Sequence, residues 1–146
     1  RVVVNERWAS TKTGGSLSLG AALVQQRCLS LHGDLLVAPD DLELILGSTT
    51  DLIGISSPAS KQPVFAQLDG NGYCHGFSYD DPSPWEWTGL VNFDPKHITL
   101  SDGNVFEMVE SILPIQTCCV RCVEVDTVED LELADRTWPQ IFSQGR

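Results

Sequence analysis

The feature that most constrains the fold is a change from strand-type to helix-type sequence between residues 118 and 134. An apolar, β-type run begins at Cys118 and ends at Asp126. Thr127 follows, and Asp130 completes the Thr-x-x-Asp pattern of a capping box that opens a helix. We therefore expect Asp126 at the tip of a strand, where open α/β sheets bind ligands. The simpler alternative is that Asp126 only caps or solvates the turn.

Length and charge set broad limits on what this chain does. A chain of 146 residues, 42% of them hydrophobic, can bury one core, so we expect a single domain over residues 1–146, with 139–146 as a tail or linker. The formal net charge of −11, with only nine Lys and Arg, argues against a nucleic-acid partner. No apolar run of about 18 residues and no signal-peptide pattern is present, so the expectation is a cytoplasmic protein with no membrane partner.

Five cysteines are present, and three of them fall inside one predicted strand. Alternation along a strand places Cys118 and Cys122 on one face and Cys119 on the other. This geometry argues against a zinc or redox site at Cys119 and Cys122. Free thiols in a reducing compartment are the favoured interpretation.

The pattern of apolar residues predicts an α/β fold with a mostly parallel, mixed sheet flanked by helices. The first three predicted elements, a buried strand at 1–4, a helix from Ser16 after a loop at 5–15, and a strand at 28–32, form a βαβ unit with parallel strands. Asp34 then lies at the carboxyl end of its strand and shares a sheet edge with Asp126. Further strands are predicted at 51–56, 64–68, 73–77, 85–93 and 118–126, and further helices from Pro39, over 104–113 and from Val128, with regular structure ending at Trp138-Pro139.

Several short motifs, taken in order, resemble the later part of a nucleotidyltransferase of the GT-A type. The resemblance is greatest to cytidylyltransferases acting on phosphocholine or on phosphonates such as 2-hydroxyethyl- and 2-aminoethylphosphonate, some of which are fused to a phosphoenolpyruvate mutase domain. The motifs are Val3-Val4-Asn5, Ser16-Leu17, His32-Gly33-Asp34, Trp85-Glu86-Trp87-Thr88-Gly89-Leu90, Glu124-Val125-Asp126-Thr127 and Glu129-Asp130-Leu131.

The resemblance implies a Rossmann-like GT-A fold that lacks its first βα units. The family begins with a glycine-rich loop followed by Arg and Lys, which cradle the triphosphate, and nothing in this sequence matches that loop. Arg1 leads directly into three valines, so we expect either that sequence upstream is missing or that the domain is shortened.

The resemblance also assigns roles to individual residues. It implies that Asp34 and Asp126 hold Mg²⁺ and are the catalytic pair. Asn5, Ser16 and Asp34 correspond to positions near the nucleotide. Asn5 and Ser16 are equally plausible as a helix cap or a turn former.

Two further residues, Glu86 and Trp87, resemble the acceptor side of the family's site, but alternation places Trp87 with Val91 and Phe93 on a predicted core face. Glu124 lies two residues before Asp126 and should share its strand face, so we expect it to reach the acceptor or a metal-bound water. A solvated strand-end carboxylate is its alternative.

The function implied is Mg²⁺-dependent transfer of CMP from CTP to a small phosphonate or phosphocholine, with release of pyrophosphate. One alternative is a catalytically degenerate domain of this type that serves as a binding or interaction module. Another is a sugar-1-phosphate nucleotidyltransferase.

Overall fold

The computed structural model describes residues 2–143, with side chains through residue 139. The helices are α1 Trp8–Ala21, α2 Pro39–Leu46, α3 Val105–Val109, which continues as a 3₁₀ turn Glu110–Ile112, and α4 Val128–Ser143. The strands are β1 Cys28–Ser30, β2 Leu35–Val37, β3 Leu52–Ser56, β4 Phe65–Leu68, β5 Tyr73–Ser78, β6 Glu86–Phe93, β7 Ile115–Cys119 and β8 Cys122–Glu124.

Six of these strands form one mixed sheet in the order β1-β6-β3-β7-β5-β4. An additional pairing of β4 with β6, between Phe65 and Glu86, closes β6, β3, β7, β5 and β4 into a barrel-like ring. Strands β2 and β8 form a separate antiparallel pair. This small pair is what positions the candidate site.

Strand β6 is the central element of the fold, since every one of its eight residues is buried. Trp87, Val91 and Phe93 belong to the larger hydrophobic cluster. Leu90, on the other face, belongs to a second cluster with Ile45 of α2. The predicted alternation of β6 is therefore confirmed, and the strand separates the two cores.

The middle of the chain follows the sequence prediction closely. Helix α2 begins at Pro39, strand β3 lies within the predicted range, and β4 and β5 form the predicted antiparallel hairpin. Helix α3 begins after Asn104, whose amide donates a hydrogen bond to the Glu107 carboxylate at 2.8 Å. Each of these elements carries its own local start or turn signal, which is why the sequence sufficed.

The start of the chain differs from the prediction. Residues 2–4 are not a strand, and Val2 and Val4 are 90% and 74% exposed. Residues 8–15, predicted as loop, already belong to α1, which is kinked at Lys12 with φ 54°. Within this helix the Gly14 amide donates to the Gly103 carbonyl at 2.7 Å, an approach that a side chain would block.

The predicted βαβ unit and the mostly parallel sheet are also wrong. Among the described strands, β3 and β7 pair in parallel, whereas β1 pairs antiparallel with β6. Asp34 lies in the turn immediately before β2 rather than at the carboxyl end of a parallel strand. The sheet is mixed, as predicted, but antiparallel pairing dominates it.

The end of the chain contains two strands where one was predicted. β7 ends at Cys119 and β8 begins at Cys122, so residues 118–126 are not one strand. Cys118 and Cys122 nevertheless pack against the same cluster, and Cys119 is exposed. Helix α4 continues through Pro139 to Ser143 instead of ending at Trp138-Pro139, and residues 144–146 of the predicted tail lie outside the described part.

Within residues 2–143, none of the helices has the length and apolar character needed to cross a membrane.

Candidate active site

A large cleft opens at the carboxyl ends of the parallel strands β3 and β7. Its volume is about 940 Å³. It is lined by Ser56 of β3, the first residues of β6, all of β8 and residues of α3 and α4. The cleft therefore lies at strand carboxyl ends, where open α/β sheets bind ligands.

The pairing of β2 with β8 brings the two aspartate-containing motifs together. Leu35 is opposite Glu124, and the Val125 amide donates to the Asp34 carbonyl at 2.9 Å. Asp126 follows directly and lines the cleft. An antiparallel ladder, rather than the shared parallel sheet edge that the sequence predicted, thus brings the backbones of the two motifs together, and the pairing of Asp34 with Asp126 at a metal ion stays a prediction.

Three side chains at this point are close enough to hold one metal ion. Ligand atoms of His32, Asp34 and Glu124 all lie within 4.8 Å of one another. Asp126, predicted as the second metal ligand, is not one of the three. His32 had no predicted role, although its position two residues before Asp34 was a signal that could have suggested one.

The charges around Glu124 repel one another. Desolvation by the surrounding protein, followed by the negative charges of Asp126 and Asp34, raises the pKa of the Glu124 carboxyl. Two carboxylates and an imidazole are a donor set that fits a divalent cation, and a bound cation would relieve this repulsion. The residues present therefore fit a divalent cation.

The ring of His32 is held in place by the start of β6. Gly89 has φ 79°, and a Cβ there would lie 2.6 Å from His32 Nδ1. The ring is edge-on to Trp87, with centroids 5.8 Å apart. A glycine is therefore needed at position 89 for two reasons: the backbone has a positive φ, and a side chain would collide with the His32 ring. This explains the glycine of the Trp-Thr-Gly motif.

Trp87 belongs to the core and to the cleft wall at once. It is 8% exposed and packs among Phe77 and Phe106, with centroid distances of 5.9 and 6.1 Å. The predicted core placement is confirmed. Its face is largely covered by neighbouring rings, whereas Tyr79, which also lines the cleft, is 53% exposed.

Glu86 uses its carboxylate to hold the segment that follows β3. It is 8% exposed and accepts hydrogen bonds from the Ser60 hydroxyl at 2.8 Å and the Ala59 amide at 3.1 Å. These contacts fix one rim of the cleft. The structure thus gives Glu86 a positioning role, and its predicted contact with the acceptor stays a prediction.

Asn5 and Ser16 meet each other, but they are not among the residues that line the cleft. Asn5 Nδ2 donates to Ser16 Oγ at 3.0 Å and to Thr11 Oγ1 at 2.8 Å. Asn5 Oδ1 accepts from the Arg7 amide at 3.0 Å, just before α1 begins. These bonds match the turn-forming alternative, and the predicted contact with a nucleotide stays a prediction.

The helix that borders the acidic cluster begins as the sequence predicted. Asp130 Oδ2 accepts from the Thr127 amide at 2.9 Å, and Thr127 Oγ1 accepts from the Asp130 amide at 3.2 Å. The capping box is therefore confirmed. Asp130 Oδ2 also accepts from the Asp126 amide at 3.2 Å, which fixes the backbone of Asp126 at the cleft.

Two cations that the sequence analysis did not single out also line the cleft, Lys61 and Arg121. Arg121 is held by Asp41 through two side-chain hydrogen bonds, each of 2.9 Å. The hydrogen bonds from Arg121 lower the pKa of the Asp41 carboxyl. Position along the sequence gave no indication of this pairing, because Asp41 and Arg121 lie 80 residues apart.

Comparison of the fold with solved structures finds several nucleotidyltransferases. The inositol-1-phosphate CTP transferase from T. maritima superposes with a TM-score of 0.76 at 14% identity, covering 96% of this chain and 66% of that one. A Bacillus anthracis protein assigned as a glucose-1-phosphate thymidylyltransferase gives 0.71 at 13% identity, covering 92% and 63%. HddC from Yersinia pseudotuberculosis gives 0.67 at 15% identity, covering 94% and 65%.

No protein-family model and no curated protein matches the sequence. The chain spans about two thirds of the length of these structural neighbours, 63–66%. Nearly all of it superposes, despite identities of 13–15%. The described chain therefore has the fold of the nucleotidyltransferases.

Proposed function

We propose that this chain is the catalytic part of a divalent-ion-dependent cytidylyltransferase. It transfers CMP from CTP to a small phosphonate, 2-hydroxyethyl- or 2-aminoethylphosphonate, or to phosphocholine. The observation that carries the proposal is the acidic group beside a cleft of about 940 Å³: Glu124 and Asp126 line the cleft, and the ladder of β2 and β8 holds Asp34 next to Glu124. The similarity in fold to a CTP transferase supports it.

The reaction joins two anions, so its main requirement is charge compensation. An oxygen of the acceptor phosphonate or phosphate attacks the α-phosphorus of CTP, the bond to the β-phosphate breaks, and pyrophosphate leaves. A divalent ion such as Mg²⁺, when bound, would offset the repulsion between the triphosphate and the acceptor and would stabilise the in-line transfer. No covalent nucleophile from the protein is required.

The residues of this chain would hold and orient the reactants. Asp34 and Asp126 would hold the ion together with Glu124 and His32, although Asp126 is not among the three side chains whose ligand atoms already lie within 4.8 Å of one another. Glu86 keeps the rim of the cleft in position through Ser60, and Trp87 and Phe106 form an apolar wall that excludes water. Lys61, exposed on the rim, would meet a phosphate.

Pyrophosphate release measured with CTP, Mg²⁺ and a panel of acceptors on the full-length polypeptide tests the proposal. Asp34→Ala and Asp126→Ala should each lower turnover by about 100-fold or more, the size of losing one strong electrostatic stabiliser. Asp80→Ala, in an exposed loop, is the matched control. If Asp34→Ala and Asp126→Ala both keep normal turnover, the assignment of these residues as metal ligands is wrong.

The acceptor has a second candidate, a sugar 1-phosphate or polyol phosphate. It is favoured by the fold similarity to proteins named for inositol-1-phosphate and glucose-1-phosphate. The same assay with glucose 1-phosphate and inositol 1-phosphate separates the two acceptor classes. Comparing CTP with UTP and dTTP in each case gives the nucleotide preference.

A non-catalytic role of the same cleft is the remaining candidate. Lys61 and Arg121 are the cations among the described residues that line it, and Arg121 is held by Asp41. Calorimetry with CTP and Mg²⁺ measures binding, and the pyrophosphate assay measures catalysis. Tight binding without pyrophosphate release for any acceptor would favour an interaction module.

A further inference from the structure

We propose that His32, Asp34 and Glu124 bind a divalent first-row transition-metal ion, with Mn²⁺ as its simplest representative, in preference to Mg²⁺. His32 is the ligand that sets this preference. The inference deepens the proposed function, since the ion would lie at the same cleft, but ion binding can be measured without catalysis.

The geometry of the three side chains suits one ion. Their ligand atoms lie within 4.8 Å of one another. Two ligands on opposite sides of one ion, each at about 2.1 Å, are roughly 4 Å apart. Small side-chain rotations therefore bring all three into a single coordination sphere, while β2 and β8 hold the backbones of Asp34 and Glu124 together.

An unsatisfied nitrogen independently indicates a missing partner. His32 Nε2 is buried and makes no hydrogen bond to any described residue. The adjacent Trp87, 8% exposed, likewise has a buried Nε1 with no partner among the described residues. Buried polar nitrogens are nearly always satisfied in native proteins, so each such atom requires an explanation. Coordination of an ion through Nε2 is the explanation that the proposal gives for His32.

His32 cannot avoid the cluster by turning away. Its ring lies against Gly89, where even a Cβ would be 2.6 Å from Nδ1, and its edge meets the Trp87 ring. A ligand whose orientation is fixed by packing loses little freedom on binding the ion. The glycine at 89 thus has a function in the site, because it leaves room for the imidazole.

The net charge at the cluster is negative. The charges of Asp126, Asp34, Glu86 and Asp130 all act on Glu124. Two carboxylates and one neutral imidazole together carry a charge of −2, which a divalent ion neutralises. The electrostatics therefore favour a cation here, and the imidazole decides which one.

The imidazole distinguishes between ions. Mg²⁺ prefers six oxygen ligands in near-ideal octahedral geometry, whereas imidazole nitrogen suits transition-metal ions. Affinity for mixed nitrogen and oxygen ligands rises from Mn²⁺ to Co²⁺ along the first row. A site with His32 should follow this order, while a purely acidic site would not.

Calorimetry and Mn²⁺ electron paramagnetic resonance on the full chain without nucleotide test the proposal. Wild type should bind Mn²⁺ at least about 10-fold more tightly than Mg²⁺, and Co²⁺ more tightly still. His32→Ala should weaken Mn²⁺ binding by about 10-fold or more, since even supporting groups outside the ligand set are worth about 10- to 100-fold. His32→Asp, which makes the set all-oxygen, should reverse the preference toward Mg²⁺.

Controls separate ligation from folding. His75→Ala removes an exposed histidine of β5 and should leave Mn²⁺ binding unchanged. Circular dichroism must show that the His32 variants fold, and the His32→Asp variant must retain an ion site. The visible absorption of Co²⁺ should change with His32→Asp, because a nitrogen ligand is replaced by oxygen.

Two results would overturn the inference: no binding of either ion to the wild type, or equal Mn²⁺ affinity in wild type and His32→Ala. Pyrophosphate release that depends on Asp34 and Asp126 would leave the proposed function standing in either case. Conversely, Mn²⁺ binding through His32 without any pyrophosphate release would support the ion site and remove the proposed function.

Discussion

Carboxylates lie near both ends of strand β3, and their surroundings are opposite in character. At its amino end, Asp51 accepts hydrogen bonds from Arg27 and the Asp94 amide, both at 2.9 Å, and contacts His97 Nδ1 at 2.7 Å. At its carboxyl end, Glu124 lies among other carboxylates at the cleft. The first carboxylate is surrounded by partners and the second by like charges.

The pKa shifts report the same difference. Burial alone would raise the pKa of Asp51, but the Asp94 amide, His97 and Arg27 together lower it below its usual value. Desolvation and neighbouring acids raise the pKa of Glu124. Asp51 therefore stabilises the folded state at neutral pH, whereas Glu124 destabilises it. A cluster that opposes folding without a ligand is characteristic of a functional site.

Replacing Asp51 should give the largest effect on stability. Asp51→Ala removes the carboxylate, which is only 17% exposed, from the Asp94 amide and from Arg27, and Arg27 keeps only its bonds to Asn92, so we expect a loss of about 3 kcal/mol in the free energy of unfolding. Urea denaturation measures it. Asp80→Ala, an exposed carboxylate, should change stability by less than about 0.5 kcal/mol. Similar losses of stability in Asp51→Ala and Asp80→Ala would contradict a stabilising role for Asp51.

At the cleft, the stability of the fold should depend on the room left for the His32 ring rather than on ion pairs. Gly89→Ala puts a Cβ in a backbone with φ 79° and 2.6 Å from His32 Nδ1, so we expect a loss of about 2 kcal/mol. Thermal unfolding measures it. Gly70→Ala, where a Cβ meets nothing within 4 Å, is the control. An unchanged melting temperature for Gly89→Ala would show that His32 is not held there.

Acid should weaken the amino-end cluster. Because the folded pKa of Asp51 is lowered, its stabilisation is full above the unfolded pKa of about 4 and disappears as pH falls through the folded pKa. The stability difference between wild type and Asp51→Asn should therefore shrink below about pH 4. Denaturation at several pH values measures it, and a difference independent of pH would contradict the assignment.

Removing the charge of Glu124 should have the smallest effect and the opposite sign. Glu124→Gln should stabilise the metal-free chain by at most about 1 kcal/mol, since interactions between exposed charges are weak. The raised folded pKa means that this gain is present at neutral pH and vanishes in acid, when both states are protonated. Thermal unfolding with and without Mn²⁺ measures it. A loss of stability without metal would show that Glu124 has a partner.

The elements predicted correctly carry complete local signals. Pro39 followed by Asp40 and Asp41 starts α2, and Thr127 with Asp130 starts α4. Strand β6 was recognisable from its alternating apolar residues. In each case the interactions that decide the structure join residues only a few positions apart, so the sequence window contains them.

The elements predicted wrongly depend on distant partners. Strand β1 pairs with residues of β6 more than 60 positions away, and no local signal states whether that pairing is parallel or antiparallel. The glycines of α1 looked like loop residues, yet Gly14 serves a contact with Gly103. Val2 to Val4 have strand propensity but no partner strand within the described residues.

The sequence by itself determined which residues are chemically able to form the site, since Asp34 and the Glu124-Val125-Asp126 motif are acidic groups beside strand and helix boundaries. Only the tertiary structure decided how they meet, through the antiparallel ladder of β2 and β8, and added His32 to them. The physical reason is that ligand geometry depends on distances between side chains about 90 residues apart, and chain packing alone sets these distances.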